Sequence, residues 1–410
     1  MHEMKEHATK HRKIAFFGHF DSTNFGNESS LKAILYNLQR LEPSLEIMCI
    51  CTGPEATGAT HNIQAVAVAQ SFASLWRPRA QTLKLLRKFL IGLLGEPYQW
   101  IRCIHFLWNI DILIVPGTGL ITDAYGLRGW GPYNLFKWSV AAKICRCKLF
   151  FVSIGAGPLY STLGRCLAKS LLHLGDFRSY RDESTKQYLS SIGFRPENDA
   201  VYPDLAFSLP ETSCQGTKKP ARAVVGIGVM EYAGKYGDAD PHGEVYLRYL
   251  DSLVALAKWL LLRGYDVRLL SGDLADIPVR QQFKELLGER PANGGKGRII
   301  DEPISSLDEL RAQIAATDLV VATRFHNVLL SLLSIKPVIS ISFHHKCESL
   351  MSAVGLDDYC LDINDLNGDQ LVERFCTLAA NVDELVPLIS RKVKEFRGCL
   401  DRQYGILLKT

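Results

Sequence analysis

The stretch with the clearest chemical potential is Thr-Arg-Phe-His-Asn at residues 323–327, where a cation and an imidazole stand two residues apart. Apolar runs at 318–322 and 328–334 flank it and predict a buried parallel strand followed at once by a helix. Arg324 and His326 are therefore expected at the carboxyl end of a strand, where open α/β sheets bind ligands, and over a helix N-terminus, which favours anions. Arginine supplies a planar donor fork, and histidine exchanges protons near neutral pH. This pattern fits an acidic substrate; in the alternative, Arg324 pairs with a structural carboxylate and His326 caps the helix.

Length and composition narrow the class of protein. A chain of 410 residues predicts two domains with separate cores, and 47% hydrophobic and 22% charged residues are ordinary for a globular protein. A formal charge of +4 is too small to indicate a nucleic-acid partner. The 11 cysteines are odd in number, irregularly spaced and without a Cys-x-x-Cys pair. They argue against a disulfide framework and favour a reducing, cytoplasmic compartment.

The first strand is followed by a polar loop at 18–27 and an amphipathic helix that is expected to begin at Glu28. Strand, loop and helix in this order are typical of a phosphate-binding unit. The loop has neither the dinucleotide fingerprint nor the P-loop pattern, so neither class is supported. Asn24, Gly26 and Asn27 either present amides to a ligand or form a tight turn that caps the helix.

A basic amphipathic segment covers residues 76–94. Acidic residues are absent from 56–95, and Lys84, Arg87 and Lys88 lie beside a face of leucines. The segment suits the surface of an anionic membrane, and a core-packed helix with a solvated basic edge is the alternative. No apolar run is long enough to span a bilayer.

Further polar groups follow other predicted strands. Pro-Gly-Thr-Gly at 116–119 ends a strand, with Asp123 close behind, and Gly-Ala-Gly-Pro at 155–158 ends the next. Arg181 and Asp182 follow a third strand, and Asp182 is expected to cap a helix. One rim of the sheet is therefore expected to collect the polar chemistry.

The boundaries follow from shifts in composition. The predicted segments are a polar tail at 1–13, an N-terminal Rossmann-like domain at 14–207, a linker at 208–222, a C-terminal Rossmann-like domain at 223–367 and C-terminal helices at 368–410.

The ordered motifs resemble the polysaccharide pyruvyl transferase family. They lie at 24–28, 116–119 with Asp123, 155–158, 180–184, 203–204, 324–326 and 337–346, and the resemblance covers roughly Ile14 to Leu361. It implies a fold similar to that of GT-B glycosyltransferases, an α/β architecture with two Rossmann-like domains facing across a cleft. It also implies transfer of pyruvate from phosphoenolpyruvate onto a sugar, forming a cyclic ketal and releasing phosphate, with no cofactor. The acceptor would be a polysaccharide or its lipid-linked oligosaccharide precursor at the inner face of a membrane.

Two positions depart from the family's pattern. Asn27 stands where the family usually has Asp, and Thr118 stands where it usually has Gly. Asn27 removes a negative charge on the side where the resemblance places the sugar acceptor, so that side is expected to diverge.

The resemblance and the residue chemistry together suggest roles for individual side chains. Arg324 and Lys346 are expected to hold the carboxylate and phosphate of the donor, with Arg181 as a further candidate. His326 is the expected general acid or phosphate partner. Asp123 or Asp182 would be the base, with a structural role as the alternative for each. The remaining expected substrate contacts are Asn24, Gly26, Asn27, Gly117, Gly119 and Gly157.

No metal site is predicted, because the adjacent His344 and His345 have poor geometry for chelating one ion. Two other functions stay open. A GT-B glycosyltransferase or sugar-nucleotide epimerase would need a ribose-binding carboxylate, for which Glu302 and Asp308 are candidates. A non-catalytic relative is the other, suggested by Asn27.

Overall fold

Short apolar strands alternate with helices along the described part of the chain and build two parallel sheets. The computed structural model describes residues 12–21, 24–69, 95–117, 119–124, 126–127, 131–211, 222–232, 243–288 and 298–409. The basic segment predicted at 76–94, Thr118, nearly all of the tail at 1–13 and most of the linker at 208–222 lie outside these residues.

The first sheet has the strand order β3-β2-β1-β4-β5-β6-β7 within the described residues. Its strands are Lys13–Gly18, Glu46–Cys51, Gln64–Ala67, Ile112–Pro116, Lys148–Ile154, Phe177–Tyr180 and Ala200–Val201, numbered β1 to β7. The pairs from β3 through β6 are parallel. The central strands β4 and β5 are almost wholly buried, as expected for strands covered on both faces.

The second sheet has the order β10-β9-β8-β11-β12-β13, and its pairs are all parallel. Its strands are Val224–Gly228, Asp266–Leu270, Ile299–Ile300, Leu319–Ala322, Val338–Ser342 and Cys360–Asp362, numbered β8 to β13. The order of connection reverses between β8 and β11, which makes this the topological switch point where such sheets bind ligands. The equivalent point of the first sheet lies between β1 and β4.

Helices connect the strands in both sheets. The α-helices of the described residues are Phe25–Leu41, Pro54–His61, residues 95–107, Pro132–Ile144, Thr162–His173, Glu183–Ser191, Glu244–Leu262, Ile277–Leu287, Leu307–Ala315, Phe325–Leu333, His345–Val354, Gly368–Ala380 and Val382–Lys409. Short 3-10 helices cover Leu205–Ser208, Leu274–Asp276 and Asp357–Tyr359. None of the described helices combines the length and apolar character needed to cross a membrane.

Contacts divide the chain into two compact units, each built on one sheet. Residues 24–33 and 182–187 group with residues 201–409 in the second unit, although they precede it in sequence. The domain boundaries proposed from composition stay a prediction. In the first unit, buried Trp138 anchors the core, with the rings of Phe17 and Phe106 at 6.3 and 5.9 Å.

The predicted C-terminal helices are confirmed, and the last one ends at Lys409. Its final turns pack against the rest of the second unit, because Tyr404 and Leu407 are buried and the Tyr404 hydroxyl lies 2.8 Å from that of Ser208. Two parallel α/β sheets followed by helices confirm the predicted fold class.

Candidate active site

The 323–327 stretch lies at the switch point of the second sheet. Strand β11 pairs with β8 through Ala322 and Gly228, and the Thr323 amide still donates to the Gly228 carbonyl at 3.3 Å. The helix Phe325–Leu333 begins immediately afterwards, with Arg324 as its N-cap residue. The predicted arrangement, a strand end over a helix N-terminus, is confirmed.

The Arg324 side chain forms a bidentate ion pair with Asp276. Nε lies 2.9 and 3.2 Å from the two carboxylate oxygens, and Nη2 lies 2.6 Å from Oδ1. Asp276 is fully buried, whereas a quarter of the Arg324 side chain is exposed. Burial works to lower the pKa of Arg324, but Asp276 outweighs it, so the pKa lies above its ordinary value. Arg324 therefore pairs with a structural carboxylate, which was the alternative given from the sequence. The pair with Asp276 engages Nε and Nη2, which are two of the three guanidinium nitrogens.

The elements around Asp276 fix its carboxylate in place. Asp273 caps the short helix Leu274–Asp276 by accepting from the Ala275 amide at 3.0 Å. The Glu231 amide donates to Asp276 Oδ1 at 3.2 Å. Sequence analysis did not single out Asp276. The local signal in the sequence is an aspartate at the N-cap position of the helix Ile277–Leu287, followed by a proline in the first turn, and it indicates only where that helix begins.

Buried hydroxyls brace the other side of the switch point. The Tyr249 hydroxyl lies 2.9 Å from that of Thr323 and accepts from the Met230 amide at 3.0 Å. Tyr249 is fully buried, and this burial raises its pKa far above the ordinary value. Tyr249 is thus a neutral structural group that fixes the residue before Arg324.

His326 packs against Gly26. A Cβ placed on Gly26 would lie 2.1 Å from His326 Nδ1, so only glycine leaves room for the ring. The ring is half-buried and meets the Phe325 ring edge-on at 4.9 Å. Gly26 and His326 both belong to the second unit, and the structure therefore brings two separate predicted motifs into contact.

Asn24 caps the helix that begins at Phe25. Its Oδ1 accepts from the amides of Gly26 and Asn27 at 3.0 and 3.2 Å, and its Nδ2 donates to Asp273 Oδ2 at 2.8 Å. The cap-and-turn alternative is the one observed. The helix begins at Phe25 rather than Glu28, because the cap lies further forward than expected.

Lys346 follows the neighbouring strand. β12 pairs with β11, and the helix His345–Val354 begins just beyond its end. His344 caps that helix by accepting from the Lys346 amide at 3.2 Å, and its ring lies 4.0 Å from that of His345 at a tilt of 38°. Within the described parts of the chain, no group of three His, Cys, Asp or Glu is arranged to hold a metal ion.

Asp123 belongs to the first unit and has structural contacts. Its oxygens accept from the Tyr160 amide at 2.7 Å and from the Ser161 amide and hydroxyl at 2.9 and 2.6 Å. Burial raises the pKa of Asp123, but these hydrogen bonds outweigh it and hold the pKa below the ordinary value. A carboxylate of this kind is a weak base, which favours the structural alternative.

The other predicted substrate contacts of the first unit lie where its strands end. The Arg181 guanidinium lies against Gly155, where a Cβ would be 2.7 Å from Nη2, and Gly157 has a positive φ of 90° beneath the Tyr188 ring. Gly117 donates its amide to Val152 at 2.8 Å, and Gly119 is exposed.

Three further carboxylates have defined partners in the second unit. Asp182 caps its helix by accepting from the Thr185 amide at 2.6 Å, as predicted. Glu302 accepts from Arg268, and Asp308 pairs with Lys32 at 2.6 Å. The substrate and catalytic roles assigned from sequence stay predictions.

The fold defines a structural class. A glycosyltransferase from Rickettsia africae shares the fold at 11% identity, with 98% of this chain and all of that chain covered and a TM-score of 0.59. A UDP-GlcNAc 2-epimerase from Neisseria meningitidis, bound to UDP-GlcNAc, shares it at 13% identity, with 97% and 100% covered and a TM-score of 0.58. At this identity the likeness shows the fold alone, which is GT-B-like.

Sequence comparison identifies the family. Residues 24–345 match the family described as polysaccharide pyruvyl transferase. The amylovoran biosynthesis protein AmsJ of Erwinia amylovora is 24% identical over an alignment of 412 positions, gaps included, that covers 94% of this chain and 96% of that protein. The chain belongs to the polysaccharide pyruvyl transferase family, a class of polysaccharide-modifying transferases.

Proposed function

We propose that the protein transfers pyruvate from phosphoenolpyruvate onto a sugar of a polysaccharide or of its lipid-linked precursor. The observation that carries this proposal is the Arg324–His326 pair over a helix N-terminus at the switch point of the second sheet. The donor carries a carboxylate and a phosphate, and such anions suit helix amides joined by fixed cations.

The reaction balances without a cofactor. One sugar hydroxyl adds to the central carbon of the enol phosphate, while a proton is delivered to the methylene carbon, which becomes a methyl group. A second hydroxyl then forms the other C–O bond as the C–O bond to phosphate breaks. One proton leaves with the phosphate, and the product is a cyclic pyruvate ketal.

Arg324 is proposed to bind the donor through Nη1, since Asp276 holds Nε and Nη2. A bidentate partner fixes the plane of the guanidinium, so that little orientational freedom is lost on binding. The first helical hydrogen bond runs from Val328 to Arg324, so the amides of 325–327 precede the helical ladder and point toward the strand end. Lys346, one strand away, adds a second cation.

His326 is proposed as the general acid or as the partner of the leaving phosphate. The His326 ring packs on the backbone of Gly26, and this contact restricts the orientation of the imidazole. The base for the sugar hydroxyl is left unassigned, because Asp123 and Asp182 both have structural contacts.

The proposed setting is the cytoplasmic side of a membrane, where a lipid-linked acceptor would be presented. The ten cysteines among the described residues are free thiols, in keeping with the reducing compartment expected from sequence.

Calorimetric binding of phosphoenolpyruvate to the purified protein tests the donor site. Lys346→Ala is expected to weaken binding by roughly tenfold, as for the loss of one charged contact. Lys392→Ala, on the C-terminal helix of the same unit, is the matched control and is expected to bind normally. Release of phosphate with a diol-containing acceptor, followed by ³¹P NMR, then tests transfer. Binding of UDP-glucose in place of phosphoenolpyruvate would contradict the assignment.

A further inference from the structure

The helix at residues 95–107 has one packed face and one exposed face. Cys103 and Leu107 are fully buried on the packed face, and the Phe106 ring meets the Trp138 ring edge-on at 5.9 Å. On the other side, positions 98, 101, 105 and 108 are all exposed. Their spacing of three, four and three residues places them on one side of the helix and its last turn.

The exposed side is strongly apolar. Trp108 and Ile101 are 68% and 67% exposed, and they are the two most exposed large apolar side chains in the described part of the chain. Tyr98 extends the same row. Ile144, 55% exposed, borders it, because the neighbouring Cys145 thiol donates to the Ile104 carbonyl at 3.4 Å. We call Tyr98, Ile101, Trp108 and Ile144 the Trp108 face.

The charge around this face is positive. Arg146 and Lys148 are exposed and follow Ile144 directly in the chain. Glu96 and Asp111 are the only acidic residues between Thr57 and Thr122. Glu96 accepts from the Tyr133 hydroxyl at 2.9 Å and lies 3.4 Å from the Lys137 ammonium. Asp111 Oδ2 accepts from the Lys13 amide at 2.8 Å.

A second acidic residue near Ile144 is also paired with a lysine. Asp176, which follows the next helix, is paired with Lys143 at 2.6 Å. Arg146 and Lys148 thus place two positive charges beside the exposed apolar row, against the one carboxylate of Asp111, and a net positive field attracts anionic surfaces.

We propose that the Trp108 face docks the protein on an anionic lipid bilayer. Tryptophan and tyrosine rings favour the headgroup level of a membrane, an exposed isoleucine gains by leaving water, and cations at the rim attract anionic lipids. These three features occur together at this face, on a helix whose other side is fixed in the core of the first unit. The docking goes beyond the proposed reaction, since it requires only a lipid surface.

Flotation with lipid vesicles tests the proposal on the full chain. The protein is expected to float with vesicles of three parts phosphatidylcholine to one part phosphatidylglycerol, and less with phosphatidylcholine alone. Ile101→Ser and Trp108→Ser should each weaken partitioning roughly tenfold, as for the loss of one interfacial apolar side chain. Leu262→Ser is the matched control, because Leu262 is 53% exposed on a helix of the second unit.

Circular dichroism of each variant checks that it is folded. Equal flotation of the parent and both folded variants, or no flotation with either vesicle, would overturn the proposal. Sedimentation equilibrium separates it from self-association: a dimer that the two substitutions dissociate, without vesicle binding, would also overturn it. None of these readouts depends on phosphoenolpyruvate, so failure here leaves the proposed reaction untouched.

Discussion

Replacing Asp276 with Asn removes one charge from the ion pair that orients Arg324. Asp276 is fully buried and receives three contacts from Arg324 between 2.6 and 3.2 Å. Removing one partner of a buried pair costs about 3–5 kcal/mol, because the other charge is left uncompensated. Since Asn keeps one acceptor oxygen and a quarter of the Arg324 side chain meets water, we expect a loss of about 3 kcal/mol in the free energy of unfolding.

Urea unfolding followed by circular dichroism measures this loss as a lower midpoint at an unchanged slope. Asp308→Asn is the matched control in the same unit. Asp308 pairs with Lys32 at 2.6 Å, but its side chain is 66% exposed, so this pair is worth about 0–1 kcal/mol. The two variants therefore carry the same Asp→Asn substitution and differ in how deeply the carboxylate is buried.

A double-mutant cycle sharpens the reasoning. Arg324→Met leaves the Asp276 carboxylate buried without its cation and should cost about as much as Asp276→Asn. The double variant should cost less than the two single losses together, with a coupling energy of about 2 kcal/mol. If Asp276→Asn and Asp308→Asn reduced stability equally, or if the cycle were additive, the ion pair would not organise the site as argued.

Two further predictions follow from the close contacts described above. Gly26→Ala should lower kcat by about 100-fold, because its Cβ would sit 2.1 Å from His326 Nδ1 and displace the ring by about 1 Å. Gly405→Ala is the control, because nothing lies within 4 Å of a Cβ at that position of the last helix. Equal kcat values for the two variants in steady-state kinetics would refute a catalytic role that depends on the position of the His326 ring. Asp123 has a lowered pKa in the folded protein, so its stabilising effect is present above the unfolded pKa of about 3.9 and is lost as pH falls through the lower folded value. Urea midpoints at pH 7 and pH 3 should therefore show Asp123→Asn well below the parent at pH 7 and nearer to it at pH 3, and an equal gap at both pH values would contradict this.

Local signals predicted several elements well. The pattern Ser306-x-x-Glu309 is typical of a helix start, and the Ser306 hydroxyl accepts from the Glu309 amide at 3.2 Å where the helix Leu307–Ala315 begins. Asp182 caps its helix for the same reason, since short polar side chains satisfy first-turn amides. The strand and helix on either side of Arg324 were also correctly predicted. In each case the determining atoms lie within a few residues of one another.

Elements without a local signal were missed. The edge strands β10 and β13 are two and three residues long, too short for an alternating pattern to show. The pairing of Asp276 with Arg324 joins residues 48 positions apart and depends on the packing of a whole helix. A single sequence predicts that an arginine needs a carboxylate, but it does not say which one.

Asn24 links the cap of the first helix to the support of Arg324. Its carboxamide oxygen caps the helix, and its nitrogen binds Asp273. Asp273 in turn caps the turn that ends in Asp276, the partner of Arg324. The motif at 24–28 therefore helps to place the guanidinium, and its glycine makes room for His326.

This arrangement also bears on the departure at Asn27. Within the cap, residue 27 contributes its backbone amide, which donates to Asn24 Oδ1 at 3.2 Å. Any residue other than proline supplies that donor. Asparagine in place of the usual aspartate therefore leaves the support of Arg324 and His326 intact. Its effect is confined to the groups that contact the Asn27 side chain. A chain that keeps Asn24, Gly26 and the Arg-x-His element thus keeps the framework of the switch point in the second sheet.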